Sequence, residues 1–241
     1  MTQTVRSADS SAQPATFATL YRIGAIAALV TVAITVVQIV AGILWPPPDF
    51  APTAAAATNI LEMAQAHPTL TFVKLDGLMV LDYLLLLVVY VALYAALRRF
   101  DPSLMALGTA LALAAITLYL AVNPAATMLV LAGQYAATDA TASGVVPAAQ
   151  AVLANFQGTA FLVHYIVMGI AGMLVSLVML RSAVFSRATA IAGIAQGAMM
   201  LVPVTFGMVG LLFALGSLVP FIVWFVLVAR RLHRLAAEPA V

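Results

Sequence analysis

Three ionisable side chains stand inside one apolar stretch, Thr71 to Arg99 (TFVKLDGLMVLDYLLLLVVYVALYAALRR): Lys74, Asp76 and Asp82. A charge at the bilayer centre costs about 2.5–3.5 kcal/mol on insertion scales, so a residue kept there has a partner or a role. Asp82 is expected about eleven residues below the outer end of the stretch, near the centre of the bilayer, where its short side chain cannot reach water. Lys74 lies on roughly the same side of the helix but about 12 Å higher, too far for a direct ion pair. Asp76 points about 200° away from Lys74, so the three charges do not share a face. Lys74 reads as snorkelling to the outer surface, and Asp76 as snorkelling or pairing with a neighbouring helix.

A second set of polar residues descends the same way. Gln150, Gln157 and His164 are spaced by sevens. Each step turns an α-helix by only about −20°, so they form one seam. The next heptad positions, Ala171 and Val178, are apolar, and the seam ends at His164. Thr31, Thr35 and Gln38 share a face of the first apolar segment, which runs the other way. Asp82, His164 and Thr31 are thus expected at one depth, with Lys74, Gln157 and Gln38 above them. That pattern suits a polar cavity open to the outside and closed by an apolar plug, binding or moving a small molecule or ion. The same residues would also serve as interhelical hydrogen-bond glue, worth roughly 0.6 kcal/mol per contact. Acid–base chemistry by Asp82 and His164 would need them within about 2.6–3.2 Å of each other or of a shared substrate. No metal-binding HExxH pair, GxSxG elbow, Walker loop or dinucleotide glycine pattern occurs, and no cofactor is expected. The candidate ligand-binding set is therefore Asp82, His164, Gln157, Gln38, Lys74 and Thr31.

The elements that must carry these residues follow from hydropathy. Of 241 residues, 65% are hydrophobic and 7% charged, against about 25% charged in a soluble domain. The chain reads as a single all-α membrane domain, 1–241, with a mobile tail at 1–20. Spans are expected at about 23–45, 71–97, 104–137, 147–180, 188–204 and 207–230. Pro46-Pro47-Pro48 stops the first, and Thr53 can cap a short interfacial helix closed by Pro68. The third and fourth runs, about 51 Å each at 1.5 Å per residue, exceed a hydrocarbon core of about 30 Å. They should project outward as a helical hairpin turning near 138–146, with a bend at Pro124. Gly193 and Gly197 form a GxxxG pattern that permits close helix contact, including contact between subunits of an oligomer.

Charge sets the orientation. Arg6, Arg22, Arg98, Arg99, Arg181, Arg187, Arg230, Arg231 and Arg234 fall on one side of such a six-span chain, and the opposite loops carry Asp49, Glu62 and Asp139. By the positive-inside rule both termini are cytoplasmic, in a plasma-membrane protein whose partner is the lipid bilayer. The net charge of +2 lies at span ends and gives no case for nucleic-acid binding. With no cysteine, disulfides and thiolate sites are excluded.

The segments GTAF (Gly158–Phe161), VMLRS (Val178–Ser182), FSRATA (Phe185–Ala190) and WFVLVARRL (Trp224–Leu232) resemble a bacterial integral-membrane family, the domain of unknown function 4386, with a further match at YRIGAIAAL (Tyr21–Leu29). The resemblance implies the membrane topology and carries no mechanism with it. Three functional readings remain open: a ligand-binding or transporting membrane protein, a structural or accessory membrane subunit, and an intramembrane acid–base enzyme.

Overall fold

The computed structural model describes residues 17–137, 144–204 and 206–238. Ten helices and no strand occur among them: α1 (Ala18–Leu44), α2 (Ala54–Ala66), α3 (Pro68–Lys74), α4 (Gly77–Leu97), α5 (Pro102–Val122), α6 (Ala125–Ala137), α7 (Val145–Phe156), α8 (Thr159–Arg181), α9 (Arg187–Met199) and α10 (Gly207–Ala237). Their ends are written in the sequence. Thr53 accepts a hydrogen bond from Ala56 N–H at the start of α2, Asp101 from Leu104 N–H at α5, and Ser186 from Thr189 N–H at α9. Each occupies an otherwise orphaned donor of a first helical turn.

Six helices make a closed ring in the order α1, α4, α5, α8, α9, α10 and back to α1. Small residues let their backbones approach. A Cβ on Gly24 would collide with Ala92, and one on Gly108 would press on Val175. Gly193 abuts Ser176 and Trp224, and Gly197 abuts the Gly169 carbonyl and Met173. The GxxxG pattern thus packs α9 on α8 and α10 within the chain. Leu93, Leu97, Met105, Ile116, Trp224 and Phe225 fill the core between the helices.

One end of the ring gathers arginine. Arg181 pairs with Asp101 at 3.3 Å, joining the end of α8 to the start of α5. Arg98 lies over the Phe17 ring, joining the end of α4 to the start of α1. Arg231 Nε donates to the Val184 carbonyl at 2.6 Å, holding α10 to the turn between α8 and α9. At the opposite end α2, α3, α6 and α7 build a cap with its own core of Ile60, Leu61, Leu75, Met128 and Leu153.

Several sequence expectations are corrected by this arrangement. The expected span 71–97 is two helices: α3 ends at Lys74, and Asp76 takes left-handed backbone angles (φ 59, ψ 27) before α4 starts at Gly77. The run 104–137 breaks rather than bends at Asn123-Pro124, because proline lacks the amide hydrogen and crowds the preceding turn. Asn123 Oδ1 accepts from Ala125 N–H at 3.1 Å and so opens α6 as α5 closes. The run 147–180 breaks at Gln157-Gly158, where Gly158 is extended (φ −82, ψ −168). As a result α6 and α7 fold onto each other and onto α2, and Ile60, Leu61 and Ala64 are buried in the cap instead of lying along an interface. The expected turn at 138–146 falls mostly at 138–143, outside the described residues, as do residues 1–16 of the expected tail; residues 18–20 already belong to α1. Among the described residues five stretches are long and apolar enough to cross a membrane: Ala18–Leu44, Gly77–Leu97, Pro102–Ala136, Val145–Arg181 and Gly207–Ala237. The expected span at 188–204 is helical only as far as Met199, in α9, a helix of 13 residues or about 20 Å at 1.5 Å per residue.

Candidate functional site

The break before α4 sets the depth of the site. Asp76 is clamped there by two neighbours: Gln38 Nε2 of α1 donates to its Oδ1 at 3.4 Å, and Asn123 Nδ2 donates to its carbonyl at 3.1 Å. With α4 beginning at Gly77, Asp82 is its sixth residue, about 7.5 Å along the axis from the helix start. His164 is likewise the sixth residue of α8. Each is thus five residues past the first residue of its helix.

Their chemistry differs. His164 is 1% exposed and fully engaged. Its Nδ1 lies 3.0 Å from the Ala115 carbonyl oxygen, which can only accept, so Nδ1 carries the hydrogen. In the neutral imidazole Nε2 is then an acceptor, and the Tyr83 hydroxyl donates to it at 2.9 Å. Tyr83 stacks on Tyr119 with ring centroids 3.9 Å apart. His164 is thus a strut binding α4, α5 and α8. Asp82 is 3% exposed, and among the described residues its Oδ1 has no hydrogen-bond partner. The Thr31 hydroxyl of α1 faces the carboxyl and interacts with it, although neither its Oγ1 nor Asp82 Oδ1 makes a well-formed hydrogen bond. A buried polar atom left in that condition costs roughly 1–3 kcal/mol.

Asp82 borders a cavity of about 500 Å³ inside the ring. Its walls come from α1, α4, α8, α9 and α10, and include Met79, Tyr83, Tyr90, Tyr165 and Phe225. A second lobe of about 670 Å³ adjoins it toward the cap end, sharing Thr35, Asp76, Met79, Tyr83 and Tyr165. Toward the arginine end, Leu93, Trp224 and Val228 close the bundle with packed side chains.

The six residues singled out from sequence separate into four groups. Asp82 and Thr31 come together beside the inner lobe, while Gln38 and His164 line the outer one. Lys74 sits on α3, not on the helix of Asp82, and borders a small side pocket of about 140 Å³ with Gln38 and Asp76. Gln157 is outside the chamber altogether: its Nε2 donates to the Phe50 carbonyl at 2.7 Å, as Gln150 does to Pro52. The heptad seam is therefore split by the break at Gln157-Gly158, its glutamines fastening the 50–52 loop and its histidine facing inward. Asp82 and His164 do not hydrogen-bond each other. Sequence reasoning missed Tyr83 and the Asp76 turn, although Asp76-Gly77 is a dipeptide that marks turns. Among the described residues no cluster of three or more His, Asp or Glu could hold a metal ion.

An all-helical bundle with five membrane-length apolar helices, charged at one end and capped at the other, fits a multi-pass membrane protein. Within that class the chain belongs to the family described as Domain of unknown function (DUF4386), which it matches over residues 26–232. No curated protein and no solved structure shows significant similarity.

Proposed function

We propose that the protein is a six-span plasma-membrane protein, with both termini and the arginine end cytoplasmic, whose chamber binds or moves a small molecule or ion presented from the outside. The arginine asymmetry supports the orientation. The sixth span is α9 with the segment that follows it, antiparallel to α10. The cap would then be extracellular, and the chamber would open in the outer half of the membrane. The observation that carries the ligand reading is the unpartnered Oδ1 of Asp82, buried at the edge of a cavity of about 500 Å³. A buried carboxylate is retained where something outside the chain completes its hydrogen bonding or charge.

The chain has no cysteine, so accessibility can be read without background. Thr35→Cys, on the wall of both lobes, should react with an impermeant cationic methanethiosulfonate added outside intact cells, whereas Leu93→Cys in the packed layer should not. An inert Thr35→Cys in correctly oriented protein would remove the outward-open chamber.

A structural role is the second reading, and the saturated Tyr83–His164–Ala115 chain favours it for His164. Enzyme chemistry by an Asp82–His164 pair has the least support, because both histidine nitrogens are committed to other partners.

A further inference from the structure

We propose that the chamber beside Asp82 takes a lipophilic organic cation, admitted sideways between the cap-end halves of α1 and α10. The inference rests on the chamber reading above and names the class of molecule that would fill it.

Charge is the first argument. Asp82 and Asp76 both line the inner lobe, and no Lys, Arg or His does so among the described residues. An anion would meet carboxylates without a compensating cation. The second argument is the wall. Tyr83, Tyr90, Tyr165 and Phe225 surround the space, and aromatic faces attract alkylated or delocalised cations by about 0.5–2 kcal/mol each, most strongly when desolvated. Met79, Met168 and Met200 add soft, adaptable apolar surface. An inorganic cation would instead need several oxygen ligands to replace its hydration shell, and among the described residues no group of three or more His, Asp or Glu side chains could supply them. A volume of about 500 Å³ lies within the range of small-molecule sites, roughly 300–1,000 Å³.

The route follows from how the ring closes. Thr35 is the last fully buried residue of α1; beyond it the helix stays tied to the Asp76 turn through Gln38 but exposes Val40, Ile43 and Leu44. Ile43 of α1 and Leu215 of α10 line the outer lobe and yet are 74% and 55% exposed on the outer surface of the bundle. Residues that are both wall and exterior mark a mouth. It faces the acyl chains of the outer leaflet, where a lipophilic cation accumulates and a hydrophilic one does not.

Tetraphenylphosphonium and tetraphenylborate test this directly, since they share shape and carbon surface and differ in the sign of charge. Binding is measured to the full chain in phosphatidylcholine nanodiscs, with empty discs subtracted and neutral triphenylmethanol as a third probe. The phosphonium should bind saturably and at least about tenfold tighter than the borate, and Asp82→Asn should lose at least about tenfold, with Asp82→Glu restoring part of it. It should also protect Thr35→Cys from thiol labelling, a readout that does not depend on an Asp82 variant folding. Leu215→Trp, which narrows the mouth, should slow both binding and release. Equal binding of both ions, or an unaltered affinity in Asp82→Asn, overturns the cation assignment. Binding of the neutral probe alone overturns the assignment but leaves the chamber reading standing. Failure of all three probes overturns both.

Discussion

The contrast between Asp82 and His164 is the most informative feature at the scale of single residues. Both are buried, and from sequence they form one candidate pair. The histidine spends both nitrogens on the protein, so removing its donor should cost stability. Tyr83→Phe leaves Nε2 unpaired and is expected to lower unfolding free energy by about 1–3 kcal/mol, read as a fall in thermal midpoint. The carboxyl behaves oppositely. Its Oδ1 makes no internal hydrogen bond, so Asp82→Asn should leave the thermal midpoint unchanged or raise it, as replacing an uncompensated buried charge often does. A drop of several degrees in Asp82→Asn would mark Asp82 as structural glue. That both residues were candidates was legible in the sequence, because charged and polar side chains in apolar runs stand out, and both are buried. Which of them had a partner was not legible, since that depends on Ala115 and Tyr83, ordinary residues on two other helices.

At the scale of elements, the termini of helices decide where the polar groups meet. The caps at Thr53, Asp101 and Ser186 are local signals and can be read from a few residues. The breaks at Asp76-Gly77 and Gln157-Gly158 are weaker signals inside long apolar runs, and hydropathy alone passes over them. Their consequence is large: they remove Lys74 and Gln157 from the helices of Asp82 and His164, and free α3 and α7 to join the cap. The left-handed conformation at Asp76 is tolerated by Gly, Asn or Asp and strained for a β-branched residue. Asp76→Gly should therefore keep the break, losing only the contact from Gln38, while Asp76→Val should lower the thermal midpoint more. Equal effects of the two would mean that the turn is not held in that conformation. In the cap, Ile60→Ala removes a fully buried side chain and should cost about 2–5 kcal/mol, detected as faster amide exchange in α2, α6 and α7.

At the scale of the whole molecule, the ring of six helices packs tightly at the arginine end and loosely at the cap end. Trp224, Leu93 and Val228 fill the former, whereas the latter holds the two lobes and the exposed end of α1. This polarity is what gives a chamber one closed side and one open side. If the arginine end is cytoplasmic, Ala55→Cys in the cap should label from outside the cell and Ser103→Cys at the start of α5 should not; labelling of Ser103→Cys would invert the orientation. The most direct measurement is a high-resolution electron-microscopy structure of the protein in native lipid, inspected at the Asp82 carboxyl. Ordered solvent or a bound molecule in contact with Oδ1, in a chamber reaching toward Ile43 and Leu215, is the expected result. A dry, collapsed interior with Oδ1 hydrogen-bonded to the Thr31 hydroxyl would contradict it.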